Sequence, residues 1–307
     1  MRLGYIYSAL GQSFHSPFEC PFFGISRPHA SGHSIFLDTG NVPDALENPV
    51  LSRPLLQIDG RGSLLFRVPG VASYLLTDRN SITISAKDDT YLPRALDFLR
   101  GTPAALICLQ QGFTPLSAIC LAYHGRSFLL WSPPGTGKTS LAMALVQRGF
   151  SWMADGLCAL DMSAGHPIIW PGFPVLKLWP DSLHALAIAP PREGPGPGGR
   201  FVISADPWYE AEPQPLAAAL LLRPAHGGIS TRSQRLHGGA AFEAVAKMTS
   251  LPAVTHALGA DPEILRSTAR MADAASVLDC RYPAGLNNLD AAADWLMDQM
   301  VSAQGGI

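Results

Sequence analysis

The octapeptide Ser132-Pro133-Pro134-Gly135-Thr136-Gly137-Lys138-Thr139 constrains this chain more than any other stretch. It follows a strand-like run, Gly125-Arg126-Ser127-Phe128-Leu129-Leu130-Trp131, and opens a helix-like one, Ser140-Leu141-Ala142-Met143-Ala144-Leu145-Val146. Strand, glycine-rich turn and helix in that order make a phosphate-binding loop. Successive backbone N–H groups form an anion nest, and the helix N-terminus adds positive partial charge. The residues read as nucleotide-binding are Pro134, Gly135, Thr136, Gly137, Lys138, Thr139 and Ser140. Lys138 reaches toward terminal phosphates and Thr139 offers its hydroxyl to magnesium. One position departs from the motif: Ser132 stands where its first glycine belongs.

Composition narrows the alternatives. The chain has 307 residues, 47% of them hydrophobic and 15% charged, so an extensive core is expected. A net charge of −2 with scattered basic residues gives no field for nucleic acid or an anionic membrane. Arg2 is followed by mixed polar residues rather than an apolar run, so no signal peptide is expected, and no segment is long enough to span a membrane. The expected location is the cytoplasm. Five cysteines, Cys20, Cys108, Cys120, Cys158 and Cys280, lack metal-ligand spacing and read as buried thiols. The histidines are scattered and none is assigned to a metal.

Residues 1–105 read as a β-rich N-terminal domain of unassigned role. Strand candidates lie at 64–68, 71–76 and 82–85, and a helix at 91–99. Residues 106–307 read as the nucleotide-binding domain. Here a strand is expected over 116–123, then the loop, then an apolar run, Phe150 to Ala154, ending in Asp155. A hairpin is expected from 157–161 and 167–170, a helix over 176–186, strands at 200–204 and 215–222, and helices at 240–251, 261–272 and 287–301. Pro190 to Gly199 is too rich in Pro and Gly for a regular element and reads as a surface loop.

A magnesium nucleotide site needs a carboxylate near Thr139, and transfer to a hydroxyl needs a proton acceptor. Asp155 is the candidate for both. Its strand is expected to run beside the loop strand, which puts it at the carboxyl edge of the sheet. The bland reading is a turn residue in Ala154-Asp155-Gly156.

Arg148-Gly149-Phe150, Met153-Ala154-Asp155 and Pro171-Gly172-Phe173-Pro174-Val175-Leu176-Lys177-Leu178-Trp179, taken with the loop, resemble the HPr kinase/phosphorylase family. The resemblance covers roughly residues 64–285, and its Pro171–Trp179 segment resembles one common among the smaller HPr-kinase-like proteins, several of which are found with peptide-modifying systems such as lasso peptide biosynthesis. It implies a P-loop kinase core of the phosphoenolpyruvate-carboxykinase-like α/β type, with a smaller β-rich N-terminal domain. It also implies ATP or GTP with Mg2+, and phosphate transfer to a serine or threonine of a peptide or small protein. Asp155 matches the family's proton acceptor. Three features depart from the pattern: Gly156 replaces a second acid, Ser117 lies where relatives carry His, and Ile169 and Pro171 stand at the Glu and Arg of the bifunctional signature. The last argues against phosphorolysis. Lys177 is a candidate phosphate contact or, equally, a solvated lysine at a helix start. Related kinases often associate, so a homo-oligomer stays open.

Two other readings remain. The chain could be a nucleotide-binding pseudokinase that presents a partner surface, as the absent acid and His suggest. An AAA+ type ATPase would need a strand ending in Asp-Glu, and no such pair occurs in the chain.

Overall fold

The computed structural model describes residues 4–24, 33–196, 198–225, 230–249 and 252–304. It is a mixed α/β protein with several sheets. The chain forms two compact units: residues 1–115 with 250–265, and residues 116–249 with 266–307.

In the first unit eight strands form one sheet. In spatial order they are Tyr5–Ala9, Gln12–Ser16, Ser34–Thr39, Ser81–Ala86, Ala72–Thr77, Leu64–Val68, Leu56–Asp59 and Pro49–Arg53. Strict alternation buries Tyr74 and Leu76 on one strand and Ile82 and Ile84 on the next. The helix Leu92–Leu99 carries Pro93 in its first turn and buries Ala95, Leu96 and Leu99. Tyr74 donates its hydroxyl to the Ala95 carbonyl at 2.7 Å, which satisfies a fully buried phenol.

The second unit is built around the loop strand, Arg126–Trp131. It pairs antiparallel with Ile119–Tyr123 through a two-residue turn, His124-Gly125, and parallel with Gln214–Ala225. Ser276–Pro283 runs parallel to Gln214–Ala225 on its other side. Ser151–Asp155 pairs antiparallel with Ile119–Tyr123, so it points the same way as the loop strand but lies one strand away from it. The expectation that the two would be neighbours is therefore corrected, because the tight hairpin claims that edge for residues 119–123. The end-on position is retained: Ile119 is paired with both Leu130 and Asp155, so these three form one row at the carboxyl edge.

Both faces of this sheet are covered. Phe128 and Leu130 face a core shared with Leu141, Leu145, Leu296 and Met300 of the helices Lys138–Val146 and Leu289–Gln304. Leu129 faces the opposite core with Ala244 and Val245 of the helix Gly238–Ala246. That two-sided burial explains the unbroken apolar run from Leu216 to Leu222, all of it buried. All five cysteines are free and buried.

Other expectations shift. The helix expected over 176–186 is a strand, Val175–Leu178, followed by the helix Pro180–Ala185. Pro180 starts a helix readily but holds Trp179 extended, at φ −74° and ψ 155°, so the two cannot merge. The helix expected over 240–251 starts earlier, at Gly238, and ends at Ala246; residues 250–251 lie outside the described set. The expected strand 116–123 breaks at Ser117. The Pro190–Gly199 segment carries no regular element among its described residues; residue 197 lies outside them.

Gly172 makes the tightest approach in the second unit. A Cβ there would stand 2.1 Å from the Leu157 carbonyl oxygen and 3.1 Å from Ala154 Cβ. Gly172→Ala should therefore displace the backbone around Asp155 and destabilise by about 3 kcal/mol. Gly239 has open space around it in a helix, so Gly239→Ala should stabilise by up to about 1 kcal/mol. Urea unfolding of the two variants measures both, and equal effects would contradict this packing.

Candidate functional site

The glycine-rich loop leaves the row just described and turns into the helix Lys138–Val146. Gly135 and Gly137 adopt φ of 81° and 82°, the left-handed region that glycine enters without strain. Ser132 has no such demand on its backbone. Its side chain is buried, and its hydroxyl is 2.6 Å from that of Thr136, which in turn donates to the Pro133 carbonyl at 2.9 Å. The serine thus fixes the loop from inside, where the motif's glycine would leave space.

Lys138 Nζ donates to the Ser132 carbonyl at 3.2 Å, which holds the ammonium against the loop. Burial lowers its pKa, with the Asp155 charge opposing. Thr139 Oγ1 lies 3.4 Å from Asp155 Oδ2, a long hydrogen bond joining the helix start to the strand end. Burial raises the Asp155 pKa, opposed by Lys138, the Thr139 hydroxyl, Arg200 and the backbone N–H of Lys177. Ser140, the last residue read as part of the loop, donates to Ser182 Oγ at 2.8 Å and ties its helix to Pro180–Ala185.

These groups share one cavity of about 730 Å³, within the size range of small-molecule sites. Pro134, Gly135, Thr136, Gly137, Lys138, Thr139, Ser140, Asp155 and Lys177 all line it, so the residues singled out in the sequence come together. One wall holds Pro224 and residues 282–286, at the carboxyl ends of the two parallel strands beyond the loop strand. Lys177, Trp179, Asp181, Ser182 and Arg200 line it as well.

Lys177 is a strand residue paired with Val202, not the start of a helix. Gly156, in the place of a second acid, is exposed with φ +93°; the turn after Asp155 requires that conformation, which side chains rarely adopt. Ser117 is exposed and is not among the lining residues. Arg200 and Trp179 were not singled out as site residues. Their only signal is position: they bracket the segment between two short strands, and that pairing is invisible in composition.

The oxygen donors present fit a hard cation. Thr139 and Asp155 supply a hydroxyl and a carboxylate, and magnesium is commonly held by one or two carboxylates with phosphates and water. Among the described residues no group of three or more His, Cys, Asp or Glu could hold a metal by itself, and no helix is long and apolar enough to cross a membrane.

No family model matches the chain, and no curated protein sequence does. Among solved structures, the Hpr(Ser) kinase/phosphatase from Coxiella burnetii is similar over 62% of this chain and 99% of its own, at 13% identity and a TM-score of 0.34. That likeness is distant.

The raised pKa of Asp155 has a sign that can be measured. The fold favours its neutral form, a contribution present below the unfolded-chain value and lost as pH rises through the higher folded value. Asp155→Asn does not titrate, so its stability relative to the native chain should grow as pH rises from about 4 to about 7. Urea unfolding in EDTA across that range measures this; a flat or falling difference would contradict a raised Asp155 pKa in the fold.

Proposed function

We propose that this chain is a magnesium-dependent phosphotransferase. It moves the γ-phosphoryl group of ATP or GTP to a serine or threonine hydroxyl of a peptide or small protein, of which a ribosomal natural-product precursor is one class. The observation that carries this reading is the convergence of Lys138, Thr139 and Asp155 in one cavity at the carboxyl edge of the sheet. Phosphoryl transfer asks the protein chiefly for positioning and charge stabilisation. The loop amides and Lys138 hold the phosphates and spread their charge. Asp155 accepts the proton of the attacking hydroxyl; its raised pKa makes it a better base than an exposed aspartate. Thr139 and Asp155 would hold magnesium, whose chemistry there is to neutralise phosphate charge.

One observation favours a second reading. With Gly156 beside Asp155, a single carboxylate stands against Thr139 to serve as both metal ligand and base. A nucleotide-binding pseudokinase would need neither role. The strand beside the loop strand presents Pro224 to the cavity rather than an acid, so the ATPase reading with paired acids gains no support.

The deciding experiment measures release and transfer of labelled γ-phosphate, with water and serine-containing peptides as acceptors. Asp155→Asn should lower turnover by about 10² to 10⁴ while nucleotide without magnesium still binds. Lys138→Ala should weaken binding itself. Tight nucleotide binding with no turnover by the native chain would favour the pseudokinase.

A further inference from the structure

Val175–Leu178 and Phe201–Ser204 form a two-stranded antiparallel ribbon in which Lys177 faces Val202 and Leu178 faces Phe201. The next residues outward are Trp179 and Arg200. Side chains alternate along a strand, so Lys177, Trp179 and Arg200 belong to one face, and all three line the cavity. Leu176 is buried on the other face.

Trp179 is 53% exposed, although it is the largest kind of apolar side chain. The Arg200 guanidinium carbon lies 6.0 Å from its ring centroid, within cation–π range. Gly199 packs on the same ring: a Cβ there would be 3.2 Å from Trp179 Cζ3. The Arg200 carbonyl accepts from Gly196 N–H at 2.9 Å, and the Gly196 carbonyl from Gly199 N–H at 3.0 Å. Two backbone hydrogen bonds thus tie Gly196 to Gly199 and Arg200, and Gly199 lies against the indole. Among the described residues no carboxylate forms an ion pair with Arg200, and its charge acts on Asp155 across the cavity. The lining has three cations, Lys138, Lys177 and Arg200, against two carboxylates, Asp155 and Asp181. A guanidinium held over an aromatic ring, free of a carboxylate partner and facing the proton acceptor, is arranged for an anion that passes between them.

We propose that Arg200 is a catalytic residue that binds the phosphoryl group in transit, and that Trp179 is the positioning residue that aims it. The proposal rests on the phosphotransferase reading. In the step it assists, the bond from the γ-phosphorus to the bridging oxygen breaks and its electron pair stays on the nucleoside diphosphate. The acceptor oxygen bonds to phosphorus, and its proton goes to the Asp155 carboxylate. Arg200 exchanges no atom; its fork of donors matches the equatorial oxygens, whose charge it offsets. Lys138 holds the group in the ground state, whereas Arg200 acts mainly during transfer.

The test uses the full chain with magnesium, ATP or GTP, and water as acceptor, followed by binding of the diphosphate with and without aluminium fluoride as a mimic of the group in transit. Arg200→Gln should lower kcat by about 10² or more. KM should change little, and the tighter binding conferred by fluoride should be lost while diphosphate binding is kept. Trp179→Ala should lower kcat about tenfold at similar KM, and Trp179→Phe should restore most of it because an aromatic face remains. Melting curves check folding, which an exposed arginine should not disturb. If the native chain hydrolyses nucleotide and responds to fluoride but Arg200→Gln matches it in both, the role of Arg200 is wrong and the phosphotransferase reading stands. If the native chain does neither, both fall. A Trp179→Phe variant as slow as Trp179→Ala would overturn the positioning role.

Discussion

The structure of the second unit depends on one row of paired residues. Leu130, Ile119 and Asp155 lie side by side across three strands, and the glycine-rich loop begins two residues after Leu130. Backbone pairing sets that level, and the two cores that grip the sheet keep it from slipping. A one-residue slip of Ser151–Asp155 would turn fully buried Trp152 away from its core and swing the carboxylate off the cavity. Further bonds brace the strand. Glu210 N–H donates to the Trp152 carbonyl at 2.8 Å, and Gly172 N–H to that of Met153 at 3.0 Å. The position of one acid is thus fixed by packing that has no chemistry of its own.

The charges of Lys138 and Asp155 are only partly relieved within the protein. Burial works against the ionised forms of both Lys138 and Asp155, and each only partly compensates the other. Held ready in this way, a cation and an anion gain more from a bound phosphate and a bound metal than solvated groups would. The helix Lys138–Val146 is locked at its far end as well: Arg148, just beyond it, pairs with Asp290 and Asp294 of the helix Leu289–Gln304. These pairs are exposed on the acid side, and their effect is to hold the helix in place more than to stabilise the fold.

The loop and its flanks were legible in the sequence because strand, turn and helix are adjacent there. Asp155 was legible as an acid ending an apolar run, but its neighbour was not. Pairing between strands is a non-local choice, decided here by the tight His124-Gly125 turn. The 176–186 segment was misread because Leu176, Leu183 and Leu186 suit a helical stripe, although Leu176 and Leu178 keep the alternation of a strand. Trp179-Pro180 was the overlooked breaker. Arg200 was illegible for the same non-local reason: only the pairing of 175–178 with 201–204 brings it to Trp179. In the first unit, β character was readable, whereas the order of eight strands was not.

The most direct measurement is a crystal structure with magnesium and a non-hydrolysable triphosphate. The account predicts the triphosphate across the amides of residues 135–139, with the Asp155 carboxylate within about 3 Å of a water or hydroxyl in line with the γ-phosphorus. A triphosphate bound elsewhere, or Asp155 turned away from the γ position with that density well defined, would contradict it.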